Sequence, residues 1–242
     1  WRDAIAPAAD VLIRNGFPVP PSEPVADGDV LQLIQRGKTP SPQELESLLV
    51  ARHTPGVHQR VKRATVAVCG VGGLGSLVAI SLARMGIGRL LLVDFDVVEP
   101  SNLNRQQYFV DQIGMPKVEA LAATLQRINP YVAVTPLATK LTAADFHPTF
   151  SREGEGPVEV VAECFDSPAS KAAAFEAART TMRSTPFVFV SGLAGYAAGD
   201  AIRVRRLREN AILVGDEAHA AQVGRGLMAE RVAVAAGLQA NV

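Results

Sequence analysis

Three charged side chains have the types needed to act on a polyphosphate. Arg105 and Lys117 carry a forked guanidinium and a compact ammonium, which can stabilise the negative charge that a leaving pyrophosphate gathers. Lys117 also opens a predicted helix, where the helix dipole does not favour a lysine, and this indicates a functional role. Asp166 ends an apolar run and precedes Ser167 and Pro168, so it could cap the following helix or hold Mg²⁺ against the phosphates.

A glycine-rich turn lies before these residues, between an apolar strand ending at Cys69 and an apolar helix. Such turns present backbone amides to phosphates at the helix N-terminus. Its glycines are Gly70, Gly72, Gly73 and Gly75. Gly70 should permit the tight turn, Gly72 and Gly73 should let the backbone approach a nucleotide, and Gly75 should let helix and strand pack closely.

The residues after the second strand distinguish between two kinds of nucleotide enzyme. Asp94 ends that strand, where a carboxylate can bind ribose hydroxyls in either NAD or ATP. Asp96 is interpreted as a solvated turn residue. Asn102, Arg105 and Gln106 follow, and a fixed cation at this point is needed by an enzyme that cleaves ATP but not by a dehydrogenase.

Composition narrows the class of protein. The 242 residues are 48% hydrophobic, enough for one good core and a small appendage, and 24 basic residues balance 24 acidic ones, so no overall charge favours nucleic acid or an anionic membrane. The apolar runs are too short to span a bilayer and no signal-peptide pattern opens the chain, which predicts a soluble, cytoplasmic protein. Cys69 and Cys164 lie in predicted buried strands, and no zinc or disulfide spacing occurs. The four histidines are scattered, so each is expected to be structural or solvent-facing.

Alternating strands and helices with short connections predict a doubly wound, Rossmann-like α/β sheet, mostly parallel with antiparallel additions, plus a small N-terminal β appendage. The predicted strands are 65–69, 89–94, 132–138, 158–163 and 186–191, with an antiparallel strand at 201–205. The predicted helices are 73–86, 116–128, 168–183 and 223–240. The arginines of the added strand, Arg203, Arg205, Arg206 and Arg208, are expected on a solvated edge, with docking of an acidic partner as the alternative.

The same patterns divide the chain into an appendage at 1–40, a linker helix and approach at 41–64, and a nucleotide-binding domain at 65–242. Strands are expected at 9–13 and 30–34. Ser41 and Glu44 form a capping box that starts the linker helix, which should end near His53.

Taken together, the glycine turn and the motifs around Asp94, Asn102 to Gln106, Gly114 to Glu119, and Asp166 resemble those of the ThiF/MoeB adenylyltransferases, bacterial relatives of ubiquitin-activating enzymes. The resemblance covers residues 65 to about 200 closely and 228–239, as the family's closing helix, more loosely.

That resemblance implies that MgATP is used to adenylate the C-terminal Gly-Gly carboxylate of a small ThiS-like sulfur carrier, with release of pyrophosphate, in thiamine biosynthesis. Asp94 would bind the ribose, and Asn102, Arg105 and Gln106 would contact the nucleotide and its phosphates. Lys117 would neutralise charge around the α-phosphate, and Asp166 would bind Mg²⁺. A cytoplasmic homodimer is expected.

The chain also departs from the family pattern. Family members often supply an arginine across a dimer interface, for which Arg52 is the candidate. The tail has no Cys-x-x-Cys zinc pairs and no sulfur-relay cysteine, which resembles the ThiF branch that lacks zinc. The appendage resembles the second half of a ThiS-type β-grasp fold but runs through a lone Gly37 into Lys38, so it is interpreted as a docking or structural remnant and not as the substrate.

Other functions remain open. The chain could activate a MoaD-type carrier or a small-molecule carboxylate, or could be a non-catalytic module that binds a β-grasp partner. The retention of Arg105, Lys117 and Asp166 counts against the last of these. A dehydrogenase is disfavoured because nothing resembles a hydride-transfer substrate domain.

Overall fold

A computed structural model of the protein describes residues 7–53, 56–151 and 156–242. The chain divides into two compact units, residues 1–63 and residues 64–242. The predicted linker helix therefore belongs to the N-terminal unit. Residues 1–6 of the predicted appendage lie outside the described residues.

The N-terminal unit contains a small antiparallel sheet with the strand order β2-β1-β3. Its strands are β1 (Val11–Arg14), β2 (Phe17–Pro18) and β3 (Leu31–Ile34), and its helices are α1 (Pro42–His53) and α2 (Val57–Arg63). Asn15 and Gly16 take φ angles of 53° and 84° in the turn between β1 and β2, a backbone region that asparagine and glycine tolerate. The predicted capping box is confirmed, because the Ser41 amide donates to Glu44 Oε2 over 2.7 Å and the Glu44 amide donates to Ser41 Oγ over 3.3 Å.

Within the described part of residues 64–242, a seven-stranded sheet has the order β6-β5-β4-β7-β8-β10-β9. Its strands are β4 (Thr65–Cys69), β5 (Arg89–Val93), β6 (Ala133–Leu137), β7 (Val160–Glu163), β8 (Phe187–Ser191), β9 (Arg203–Arg208) and β10 (Ala211–Gly215). All neighbours are parallel except β9 and β10. The Rossmann-like α/β fold predicted from the sequence is confirmed.

Strand β10 is the element that the sequence analysis missed. It is a short apolar run after Glu209 and Asn210, and it inserts between β8 and β9, so β9 pairs with it and forms the sheet edge. All six residues of β9 are exposed, which confirms the solvated basic edge. Asn210 donates to the carbonyl of Ala178 over 2.9 Å, and this bond joins the hairpin to the end of a neighbouring helix.

The helices of this unit cover both faces of the sheet. They are α3 (Gly73–Arg84), α4 (Lys117–Ile128), α5 (Phe146–Phe150), α6 (Pro168–Arg179) and α7 (Ala229–Asn241). The prediction of a helix from residue 223 was wrong, because Gln222 to Arg225 form a bridged turn in which Gly224 has a φ of 79°. Helix α5 and the short 3₁₀ turns at Pro100–Asn102, Val110–Gln112 and Gly199–Ala201 were not predicted. No helix in the described part of the chain is long and apolar enough to cross a bilayer.

The strand order places a crevice at the centre of the sheet. The chain runs from β4 outward through β5 to β6, then crosses back to β7 on the other side of β4. The connections that leave the carboxyl ends of β4 and β7 therefore diverge to opposite faces. Open α/β sheets bind ligands at such a switch point.

Glycines allow the turns after β4 and β7 to pack against each other. Gly70 has a φ of 88°, and a Cβ atom there would lie 2.8 Å from the Cys164 carbonyl oxygen. A Cβ atom on Gly75 would lie 1.9 Å from the Gly70 carbonyl oxygen and 3.2 Å from Cys164 Cβ. Close packing of helix and strand is the role predicted for Gly75, and the structure requires it.

We expect Gly75→Ala to destabilise the protein by at least about 2 kcal/mol, since backbone must move to admit the methyl group. Gly237→Ala is the matched control: this exposed glycine lies in α7, and a Cβ atom there meets nothing within 4 Å. The control should stabilise the protein by up to about 1 kcal/mol through its helix propensity. Urea unfolding monitored by circular dichroism measures both, and equal stability of Gly75→Ala and wild type would contradict the packing argument.

Candidate functional site

A cavity of about 510 Å³ lies beyond the carboxyl ends of the central strands. Each parallel strand from β4 to β8 contributes residues that follow its last position. These include Gly70 after β4, Asp94 after β5, Thr139 after β6, Asp166 after β7 and Gly192 after β8. The cavity is therefore built at the switch point, where the sheet topology predicts a ligand site.

The glycine turn forms one wall of this cavity. Gly70, Gly72 and Gly73 line it, and α3 begins at Gly73. The first-turn amides of a helix have no partner within the helix, so this N-terminus is suited to an anion. Gly75 lies two residues further into the helix, where it packs against Gly70 and does not line the cavity.

Asp94 fixes the adjoining turns. One carboxylate oxygen accepts a bond from the Val71 amide over 2.8 Å and the other accepts one from the Asp96 amide over 2.9 Å. The residue is buried, and burial raises the pKa of its carboxyl above the ordinary value, with the two backbone bonds opposing that rise. Each oxygen retains a lone pair that a ribose hydroxyl could use.

Lys117 is held at the cavity by an ion pair. Its Nζ lies 2.8 Å from Asp96 Oδ2, and its side chain is only 8% exposed. Asp96 is exposed and lies in a loop, as expected of a solvated turn residue, but its carboxylate also pairs with a buried cation and lines the cavity. Tyr108 strengthens this corner by donating its hydroxyl to the Val71 carbonyl over 2.6 Å. The ammonium is thus positioned by the protein itself, with two N–H groups left for a ligand.

Arg105 reaches the cavity from the loop after the first 3₁₀ turn. Its NH1 group donates to the carbonyl of Ser101 over 3.2 Å and to Asn104 Oδ1 over 3.0 Å. Both bonds use one end of the guanidinium, so the remaining donors can meet an anion. The side chain is half-buried and lines the cavity beside Gly73.

The two amides flanking Arg105 have different surroundings. Asn102 is buried, accepts the Glu99 amide over 3.1 Å and so closes the 3₁₀ turn; it does not line the cavity. Gln106 does line the cavity, and its buried Oε1 has no hydrogen-bond partner among the described residues. A buried acceptor without a partner is costly in a folded protein, so Gln106 fits a role in binding a ligand.

Asp166 lines the cavity from the loop after β7. It is exposed, and the N-cap of α6 is Ser167, so Asp166 is not the cap of that helix. Within the described residues no group of three or more His, Cys, Asp or Glu side chains could hold a metal ion. A single carboxylate suits Mg²⁺ only if phosphate oxygens and water supply the other ligands, as is common for this ion.

Near Asp166, an ion pair between the buried Glu163 and the partly exposed Lys171 fixes the loop. Lys171 Nζ lies 2.9 and 3.0 Å from the two oxygens of Glu163 and 2.8 Å from the Val190 carbonyl. Glu163 also accepts the Phe165 amide over 2.8 Å. Burial raises the pKa of the Glu163 carboxyl, and the charge of Lys171 opposes that rise. This pair ties β7, β8 and α6 together directly under the cavity.

Sequence reasoning missed several residues of the cavity. Lys171, Phe95, Lys140 and His219 all line it, and Lys140 Nζ lies 5.4 Å from the centre of the Phe95 ring. The sequence signal available for the Glu163–Lys171 ion pair was the lysine five positions after Asp166. His219 had no signal, because it lies in an irregular segment whose placement depends on contacts distant in sequence.

The structure brings Arg105, Lys117 and Asp166 together with Asp94 around one cavity. It leaves Cys69 and Cys164 buried, and burial raises the pKa of both thiols. The remaining candidate, Arg52, lies in α1, but its side chain is outside the described part of the chain.

Comparisons with known proteins agree with this architecture. The model of the "ThiF family" matches residues 46–213, and that of "ThiS-like ubiquitin" matches residues 1–37. The chain is 38% identical over 135 residues to ubiquitin-like modifier-activating enzyme 5 of Arabidopsis thaliana, covering 50% of this chain and 31% of the relative. It is 43% identical over 117 residues to the Drosophila willistoni protein of that name, covering 46% and 29%. The chain thus spans about a third of the length of these curated relatives.

Among solved structures, the chain is similar to the Escherichia coli tRNA N6-threonylcarbamoyladenosine dehydratase TcdA in complex with ATP. The TM-score is 0.73 with 24% identity, and the match covers 83% of this chain and 93% of that one. This similarity shows a shared fold. The family match spans most of the chain, and it includes the glycine turn and the charged groups from Asp94 to Lys171. The protein therefore belongs to the ThiF family.

Proposed function

We propose that this protein uses MgATP to adenylate a carboxylate and release pyrophosphate, and that the carboxylate is the C-terminal Gly-Gly end of a ThiS-like sulfur carrier. The observation that carries the proposal is the meeting of Arg105, Lys117 and Asp166 around one cavity that also contains the glycine turn and Asp94. Two cations and one carboxylate are what a triphosphate with its metal requires.

Each charged group of the cavity has its own role in the proposed reaction. The α3 N-terminus faces the phosphates, and Asp94 accepts bonds from the ribose. Lys117, held by Asp96 at 2.8 Å, neutralises charge near the α-phosphate, while the free donors of Arg105 stabilise the departing pyrophosphate. A substrate carboxylate oxygen attacks the α-phosphorus in line with the leaving group, so positioning and electrostatics supply the catalysis and no acid–base residue is needed for this step.

Asp166 would hold Mg²⁺ together with phosphate oxygens. The ion would neutralise charge on the phosphates when bound. The loop that carries Asp166 is fixed from below by the Glu163–Lys171 pair, so its carboxylate is presented to the cavity without a partner of its own among the described residues.

The family and the N-terminal unit support a protein substrate. The named relatives activate a ubiquitin-like modifier, and residues 1–37 match a ThiS-like ubiquitin model. ThiS-like carriers belong to the same β-grasp class, which favours a small β-grasp protein over a free metabolite. A role in thiamine biosynthesis, a cytoplasmic homodimer and an arginine supplied by Arg52 of a second copy remain predictions that follow from the family.

The direct test is ATP–pyrophosphate exchange with the purified protein, Mg²⁺ and a ThiS-type carrier ending in Gly-Gly. We expect exchange that depends on the carrier and disappears when its terminal glycine is removed. Binding of the carrier without exchange would instead indicate a non-catalytic module, and tight binding of NADH would indicate a dehydrogenase.

Arg105→Ala should lower the exchange rate by at least about 100-fold, the scale on which removal of one positioned charge stabiliser acts. Arg84→Ala is the matched control, since Arg84 is exposed at the end of α3 and does not line the cavity. It should exchange like wild type. Equal rates for the two variants would remove Arg105 from the proposed site.

Asp166→Asn should raise the Mg²⁺ concentration needed for half-maximal exchange by at least about 10-fold, because changes around a bound metal cost at least that much in affinity. Fluorescence titration of an ATP analogue at varied Mg²⁺ supplies a readout that does not depend on turnover. Asp200→Asn, at an exposed position outside the cavity, is the control. Unchanged Mg²⁺ dependence in Asp166→Asn would contradict the metal assignment.

A further inference from the structure

The segment that follows β10, residues 216–228, forms part of the wall of the cavity. His219, Ala220, Ala221 and Leu227 line the cavity from this segment. Backbone bonds attach it to the loop after β8: the Ala194 amide donates to the His219 carbonyl over 2.9 Å. The wall is therefore a fixed part of the site.

Asp216 is the centre of this attachment. Its Oδ1 accepts the amides of Ala218 and His219, each over 3.0 Å, and its Oδ2 lies 2.6 Å from Arg231 NH2 and 2.6 Å from His219 Nδ1. Arg231 is 5% exposed and also donates to the carbonyl of Ala197 over 2.6 Å. Burial works to raise the pKa of the Asp216 carboxyl, but the bonds from Ala218 and His219 outweigh it and lower that pKa to about 2.

The bond to Asp216 determines which nitrogen of the His219 ring carries the proton. An ionised carboxylate at Nδ1 places the ring proton on that nitrogen, which leaves the lone pair of a neutral imidazole on Nε2. Nε2 has no hydrogen-bond partner among the described residues and is not a buried atom. The side chain is 31% exposed and lines the cavity.

Cys164 lines the cavity, but it is buried and burial raises the pKa of its thiol, which makes it a poor nucleophile. The acyl adenylate that the proposed reaction forms therefore needs another nucleophile as its acceptor. If it is an amine or a similar protonated nucleophile, a base in the cavity is required, and His219 is the one imidazole among the described residues that line it.

We propose that His219 is the general base for transfer of the activated acyl group to an external nucleophile, and that Asp216 is its positioning residue. This inference rests on the proposed adenylation. The nucleophile's lone pair attacks the acyl carbon, its proton passes to His219 Nε2, and the bond from carbon to the phosphate oxygen breaks with its electron pair on the departing AMP. The proton then leaves Nε2 for solvent.

A purely structural His219 would serve only as a donor to Asp216, and one substitution separates the two roles. His219→Asn retains an N–H group near the Nδ1 position, so the bond to Asp216 can persist, but it has no basic nitrogen. His147→Asn is the matched control, because His147 is exposed on α5 and lies outside the cavity.

The experiment uses the whole protein with MgATP, pyrophosphatase and a ThiS-type carrier ending in Gly-Gly, followed by glycinamide as the amine. Mass spectrometry measures the carrier amide, and ATP–pyrophosphate exchange is measured in parallel without pyrophosphatase. In His219→Asn, the ratio of the transfer rate to the exchange rate should fall at least about 30-fold, within the range that general base catalysis supplies. Hydroxylamine, which attacks acyl groups without base assistance, should show no such fall, and added imidazole should restore transfer to glycinamide in His219→Ala.

Transfer to glycinamide at the wild-type ratio in His219→Asn would overturn the inference and leave His219 a structural residue. An equal loss of exchange and transfer would also overturn it, since the residue would then act in adenylation or in folding. Absence of exchange in the wild-type protein would refute the proposed function, and the inference with it; this outcome is distinct because it appears before any substitution is made.

Discussion

The close contact between the turns after β4 and β7 is the constraint on which this structure depends. Gly70 lies against the Cys164 carbonyl and Gly75 lies against Gly70, at separations that no side chain larger than hydrogen allows. That contact sets the N-terminus of α3 beside the loop that carries Asp166. A wider separation would leave the glycine turn and the carboxylate too far apart to share the one ligand that we propose.

Charge burial around the cavity follows a common pattern. Lys117 with Asp96, Glu163 with Lys171, and Asp216 with Arg231 are each paired by the protein's own groups. Removing charges from water is costly, so the buried carboxylates of Glu163 and Asp216 also accept backbone amides, whereas the Asp96 side chain is half-exposed. Groups held in this way do not reorganise when charge develops on a substrate, which is the condition under which electrostatic stabilisation is most effective. Arg105 keeps free hydrogen-bond donors and Asp166 a free carboxylate among the described residues, as the proposed nucleotide site requires.

The cavity combines groups of different chemistry. Glycines, cations and Asp94 line it, and so do small side chains and His219. All of them lie at the carboxyl edge of one mostly parallel sheet, so the proposed activation of an acyl group and the proposed attack on it would share one cavity. One chain thus matches both a ThiS-like ubiquitin model, over residues 1–37, and the ThiF family model, over residues 46–213.

Much of the fold could be predicted because local patterns specify it. Apolar runs of strand length, the glycine turn, the capping box at Ser41 and the helix starts at Gly73, Lys117 and Pro168 all depend on neighbours within a few residues. Strand β10 could not be predicted, because a short apolar run is identified as a strand only by the strands that flank it. The start of α7 could not be predicted either, because the apolar pattern alone does not show the turn around the glycines at 224 and 226.

The sequence by itself determined the family, the α/β class and the identity of the charged groups, because these depend on residue types at short spacing. Only the tertiary structure decided which groups meet: that Asp96 pairs with Lys117 across 21 positions, that Asn102 stays outside the cavity, and that Asp216 bonds the ring of His219, which lines the cavity. The physical reason is that such contacts are set by strand order and by the packing of turns from distant segments. No local pattern encodes them.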